Sequence, residues 1–330
     1  MHIDIKAKII KPVRQTYTHV AKRIGEGKQA SRYQEAVYDL QATENFHYRP
    51  TWQPDKELYD ATRTELVMSD WYKFLDPRQF YYGNYVITRA KQQDSTENNF
   101  KFVEKRSLLA TIPEDAKKKI QDFIIPLRHY EWGGNMNNYQ ICAMGYGTAL
   151  TSAASFYAAD HLGNAQYITR IGLVLSENDT ASIDNAKDDW LNKPIWQELR
   201  NLVEDSFVIE DWFELFVLQN FVMDGLVYPL FFQKFEEQMN AKGATAYTML
   251  TEFTVDWFAE SSRWVNKQIA VATSESEANK ILVSKWFTKW LERAEKALEP
   301  LAIASIENGS EAWQEVKNSL ISRAQKNGIS

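Results

Sequence analysis

An all-α fold is what this 330-residue sequence predicts, and three observations carry it. Glycine and proline number only 13 and 9, about 7% together where globular chains average about 12%, so turns are few and elements long. Apolar residues recur at three- and four-residue steps over long stretches, the period of a helix with one buried face. No run alternates Val, Ile or Thr with polar residues in the manner of a strand.

Taken in chain order, residues 1–60 read as an extended N-terminal arm. They mix Tyr17, Tyr33, Tyr38, Tyr48 and Trp52 with Arg14, Arg23, Arg32 and Arg49 and sustain no long helical period. Pro50 and Pro54 hold the backbone extended around Trp52. Aromatic and arginine side chains are those favoured in interface cores, so the arm either meets a partner or packs on its own domain. Residues 61–330 are expected to form a single helical-bundle domain.

The first long helix is expected between Asp76 and Ala110, interrupted only by Gly83. Pro113-Glu114-Asp115 opens the next, with proline in the first turn and acids where the helix dipole favours them. Leu127 to Asp160 reads as one long helix that includes Gly133, Gly134, Ala143, Gly145, Gly147, Ala149, Ala153 and Ala154. Small residues at this spacing let two backbones approach at the centre of a bundle. Gly163 is expected to end that stretch, followed by a short apolar helix from Tyr167 to Leu175 and a polar loop over residues 176–189. Pro194 starts a further helix, and Ile209 to Met239 gives the central one, closed by Gly243 at a C-cap. Residues 246–271 and 275–299 are amphipathic, the second introduced by Ser274-x-x-Glu277 as a capping box. Its apolar face runs through Leu282, Trp286, Trp290, Leu298 and Leu301, and a last helix from Ser310 turns Trp313, Val316 and Leu320 inward.

Charge and cysteine content exclude several functions. A net charge of −6 gives no overall pull towards nucleic acid or anionic lipid. The single cysteine, Cys142, excludes an intrachain disulfide framework and multi-cysteine metal sites, and its small-residue surroundings read as packing. The most apolar segment, Leu215 to Phe232, is interrupted by Gln219, Asn220, Asp224 and Pro229, which suits a core helix better than a bilayer span. The first residues carry mixed charge and no apolar leader, and a cytoplasmic protein is expected.

Helix bundles host metal sites, and a di-iron carboxylate centre uses two Glu-x-x-His pairs with two further glutamates. One such pair is present, Glu44 to His47, and with 26 Glu and 5 His chance alone supplies about 0.4. A second is absent, so a di-iron site cannot be assembled from this chain. His129 and His161 read as hydrogen-bonded structural histidines. No nucleophile elbow, P-loop or dinucleotide fingerprint occurs, and Gly145-Tyr146-Gly147 is a fragment set within a helix. No catalytic, cofactor-binding or metal residue is therefore assigned. Arg128-His129-Tyr130-Glu131 and Asn135-Met136-Asn137-Asn138 crowd an otherwise central helix, which implies an internal hydrogen-bond network: a polar plug, or a cofactor site.

Several segments carry a resemblance. Pro12-Val13-Arg14-Gln15-Thr16-Tyr17, Ser31-Arg32-Tyr33-Gln34-Glu35-Ala36, Asn45-Phe46-His47-Tyr48-Arg49-Pro50 and Asp76-Pro77-Arg78-Gln79-Phe80-Tyr81-Tyr82-Gly83 resemble the β subunits of the bacterial multicomponent monooxygenases, of phenol hydroxylase type. So do Asn135 to Asn138, Val203 to Val208 and Leu250 to Phe253, and the likeness spans about residues 10–300. The resemblance implies a ferritin-like, ribonucleotide-reductase-like long-helix bundle with additional C-terminal helices. It further implies a hydroxylase built from two copies each of α, β and γ chains. The α chain would hold the di-iron centre that hydroxylates the aromatic ring with O2. An NADH-dependent reductase and a small regulatory protein would be partners of the complex, and this chain would be a non-catalytic support. The arm residues Tyr33, Arg49 and Trp52, with Tyr81 and Tyr82 of the first long helix, are the candidates for contact with the α chain. Two other readings compete: a self-contained metal oxygenase using Glu44, His47, His129 or Glu131, and a metal-free helical scaffold that forms only homo-oligomers.

Overall fold

The computed structural model describes residues 16–40 and 53–330. Among them there are helices and turns but no strand. Two short helices come first, α1 (Thr18–Ile24) and α2 (Arg32–Val37). Ser31 caps α2: its hydroxyl accepts from the Gln34 N–H while the Gln34 side chain accepts from the Ser31 N–H, a reciprocal box that starts a helix in only six residues. These helices bury Val20, Tyr33, Val37 and Tyr38 in a small cluster with Tyr72 and Ala149. Part of the segment expected to be extended is thus helical, because local capping supplies what a long apolar period does not.

The long elements follow: α3 (Tyr82–Lys105), α4 (Glu114–Phe123), α5 (Leu127–Met144), α6 (Thr148–Leu175), α7 (Ala181–Asn192) and α8 (Pro194–Ser206). Next come α9 (Trp212–Ala241), α10 (Thr245–Glu275), α11 (Glu277–Ser305) and α12 (Gly309–Lys326). The prolines at 113 and 194 stand at helix starts as expected. Several boundaries differ from the sequence reading. Asp76 to Tyr81 is not helical: the Asp76 carboxylate accepts from the backbone and guanidinium of Arg78, and Gln79 adopts a left-handed conformation at φ 53°. Gly145-Tyr146-Gly147 separates α5 from α6, with Gly147 at φ 92°, so α6 can fold back along α5. Gly163 lies inside α6, which runs unbroken to Leu175. The expected loop at 176–189 contains most of α7, which buries Ser182, Ala186 and Trp190 beneath a polar outer face. The cap of α11 is Ser276, whose hydroxyl accepts from the Asn279 N–H; the Ser274 hydroxyl bonds back to the Val271 carbonyl.

The core is a bundle of α5, α6, α9 and α10. Contacts of 131 with 161 and 135 with 158 make α5 and α6 antiparallel, and 138 with 220 and 131 with 228 lay α9 antiparallel to α5. α5 and α6 approach so closely at Gly134 that a Cβ there would lie 2.6 Å from the His161 ring. α9 is apolar enough to cross a membrane by length and composition, but 94% of that window is buried inside the protein, as the wall of the core. It is π-helical over Val217–Met223 and Leu230–Lys234, on either side of Asp224 and Pro229. α11 and α12 pack outside, with Trp286, Trp290, Leu298, Leu301, Trp313, Val316 and Leu320 inward as the periodicity predicts.

Candidate functional site

Helical spacing brings one polar set to the bundle axis. Tyr130, Glu131, Asn137 and Asn138 lie on the inner face of α5, and Tyr157, His161 and Asn164 one turn apart on α6. α9 contributes Gln219, Asn220, Asp224 and Tyr228, and α10 contributes Trp257. Glu131, His161 and Asp224 are fully buried.

The imidazole of His161 lies between the two carboxylates, with Nδ1 2.6 Å from Glu131 Oε2 and Nε2 3.4 Å from Asp224 Oδ2. Phenols complete the shell. Tyr228 donates to Glu131 at 2.7 Å, and Tyr157 and Tyr130 donate to opposite oxygens of Asp224 at 2.8 and 2.5 Å. The Gln219 amide donates to Asp224 Oδ1 at 3.0 Å and is held by Asn137, while Asn138 and Asn220 form a reciprocal pair. Buried carboxylates are tolerated only with such partners.

The electrostatics follow from this geometry. Burial opposes charge on His161, but the Asp224 and Glu131 carboxylates outweigh it and push the imidazole up to about 10. Burial raises Glu131 above the ordinary carboxylate range against the pull of His161 and Tyr228. Tyr130, Tyr157 and Tyr228 are driven well above the usual phenol value, first by burial and then by the neighbouring carboxylates.

This donor set does not fit a di-iron centre, which needs four carboxylates and two imidazoles converging on the metals. Here two carboxylates and one imidazole are aimed at each other, and among the described residues no group of three His, Cys, Asp or Glu side chains could hold a metal ion. What the arrangement can do is lock three helices in register through one buried ion cluster.

Around this centre lies a second shell. Asp160 accepts from the Tyr85 phenol, the Arg89 guanidinium and the Trp257 indole, at 2.7–2.8 Å, which ties α3 and α10 to α6. Arg89 also reaches Glu260 at 3.2 Å.

Of the candidates for partner contact, Tyr33 is turned inward. Its ring is buried and its Oη accepts from the Asp76 N–H, so it serves this chain's own packing; Tyr81 packs on the same cluster. Tyr82 stands 75% exposed, and Arg49 and Trp52 lie outside the described residues. Glu44 and His47 lie outside them as well. His129 stacks on Trp190 away from the network and is held down to about 4, chiefly by burial. Cys142 is half-buried, and burial pushes its thiol up, away from nucleophile behaviour. Of the network expected from Arg128 to Glu131 and Asn135 to Asn138, Tyr130, Glu131, Asn137 and Asn138 take part, Asn135 donates to the Ala158 carbonyl, and Met136 is exposed. Sequence reasoning missed Asp224, Tyr157 and Tyr228 as its members. Their signal was present: Asp224 and Tyr228, like Tyr157 and His161, are four residues apart on apolar helices.

Comparison with known proteins places these features in context. A family model described as methane/phenol/alkene hydroxylase matches residues 52–276. The phenol 2-monooxygenase oxygenase component DmpL of Pseudomonas sp. strain CF600 is 46% identical over 329 residues, covering 100% of this chain and 98% of that one. The toluene-4-monooxygenase hydroxylase component subunit beta of Ectopseudomonas mendocina is 24% identical over 88% of this chain and 89% of that one. A xenon-pressurised crystal structure of phenol hydroxylase from Pseudomonas sp. OX1 superposes with a TM-score of 0.93 at 43% identity, covering 98% of each chain.

Proposed function

The chain belongs to the methane/phenol/alkene hydroxylase family of multicomponent monooxygenases, and from that premise we propose that it is the non-catalytic β subunit of a phenol-type hydroxylase. A larger partner chain holds a di-iron centre that activates O2 and converts phenol to catechol with electrons from NADH. A γ chain completes the cytoplasmic hydroxylase, with two copies of each subunit, and a reductase and regulatory protein serve it. Relatives named as a subunit beta and as hydroxylase small subunits, in the toluene and propane enzymes, support the assignment.

The observation that carries the reading is the centre of the bundle. Glu131 and Asp224 use their lone pairs on His161, Tyr130, Tyr157 and Tyr228, which leaves no converging donor set. An ionic plug there keeps the bundle rigid as a support for its neighbour. Contact with the larger subunit is assigned to exposed Tyr82, with Tyr81, Arg49 and Trp52 as further candidates.

Affinity purification from native cells, followed by native mass spectrometry and iron analysis, tests the assignment. A complex with two copies each of three chains, whose iron leaves with the larger chain, is expected. A homo-oligomer that keeps stoichiometric iron by itself overturns it.

A further inference from the structure

A groove of 310 Å³ opens between α3 and α6, lined by Tyr85, Arg89, Gln93, Gln166 and Tyr167 with Phe253 of α10. One of its walls leads inward. The Tyr85 phenol and the Trp257 indole donate to the two oxygens of the same Asp160 carboxylate, each at 2.8 Å. The Trp257 ring in turn lies 5.0 Å from Tyr157 and 5.1 Å from Tyr228, centroid to centroid. The oxidisable side chains therefore form a continuous series from solvent to the buried cluster, with no aliphatic spacer between the inner members.

Burial and hydrogen bonding give this series an inner end. A phenol that loses an electron becomes a strong acid, so its oxidation is easy only where a hydrogen-bonded acceptor is ready to take the proton. Tyr157 donates to Asp224 and Tyr228 to Glu131, both bonds short and shielded from water. Asp160 likewise accepts from Tyr85, Arg89 and Trp257, nearer the groove.

We propose that Tyr85, Trp257 and the buried tyrosines Tyr157 and Tyr228 form a one-electron relay that draws oxidising equivalents of the reactive-oxygen class from the groove into the bundle. The balance is simple. A hydroxyl radical takes one electron from Tyr85 and becomes hydroxide. Trp257 refills Tyr85, and Tyr157 or Tyr228 refills Trp257. The phenolic proton then moves along its hydrogen bond to Asp224 or Glu131, leaving a neutral tyrosyl radical beside a protonated carboxyl until an external thiolate gives up one electron, becoming a thiyl radical, and the carboxyl returns the proton. This role is independent of the subunit assignment, because it needs only this chain's own residues.

The test uses the full-length chain, a photogenerated ruthenium(III) tris(bipyridine) oxidant and freeze-quenched electron paramagnetic resonance. A long-lived tyrosyl signal is expected in the unmodified protein. It is expected to disappear in the Tyr157→Phe/Tyr228→Phe double variant and to fall to the same background in Trp257→Phe. Should the double variant fail to fold, each single Tyr→Phe variant is expected to lose part of the signal. An unchanged yield in Trp257→Phe, in the double variant, or in both single variants overturns the relay.

Discussion

The two faces of α5 reverse the usual arrangement of an amphipathic helix. Its inner face carries Glu131, Asn135, Asn137 and Asn138, all buried, whereas its outer face exposes Trp132, Met136 and Tyr139 to 51%, 45% and 46%. The polar residues are inside because α6 and α9 bring matching partners to them, chiefly His161, Gln219, Asn220 and Tyr228. Of the apolar residues outside, Trp132 meets Phe207 edge to face, and Met136 and Tyr139 stay exposed beside it. Hydrophobicity alone therefore does not decide which side of this helix is buried; complementarity of charge and hydrogen bonding across the bundle does.

That contrast can be broken most severely at its centre. Replacing His161 by Leu leaves Glu131 and Asp224 buried without their cation, and a loss of about 3–5 kcal/mol is expected from urea unfolding. Titration sharpens the same point. His161 binds its proton more tightly folded than unfolded, so its contribution is fully present below pH about 6.5, the unfolded imidazole value, and is lost as pH rises through about 10. Stability is expected to fall across that window with a slope of up to about 1.4 kcal/mol per pH unit, and the slope is expected to shrink in His161→Leu.

A smaller effect tests the close approach of the helices. Gly134→Ala sets a methyl against a His161 ring held between two carboxylates, and a cost of about 1–3 kcal/mol is expected in the same unfolding assay. The outer face supplies the smallest effect. Met136→Ala and Tyr139→Ala are expected to change the chain's own stability by no more than about 0.5 kcal/mol each. Equal losses on both faces would show that the inner polar set is no more important than ordinary surface.

Much of this inversion was legible in the sequence, and its limits are instructive. The crowding of Tyr130, Glu131, Asn137 and Asn138 on one helix announced a buried network, and Gly134 announced a close neighbour. Gln219, Asn220 and Asp224 were visible only as interruptions of an apolar run. Their role stayed hidden because residues that satisfy them from α5 and α6 lie 67 to 94 positions away. Gly145-Tyr146-Gly147 was read as helix because glycine is compatible with either state. Gly147 takes a positive φ only because α6 must return along α5.

The sequence by itself determined the helical class, the apolar wall of α9 and the inward tryptophans of α11 and α12, since composition and local periodicity act through each helix's own geometry. The tertiary structure alone decided that one imidazole would lie between two carboxylates and three phenols, and that Tyr33 would turn inward. Those outcomes depend on which helix faces meet, and a helical period specifies a face without naming the face opposite it.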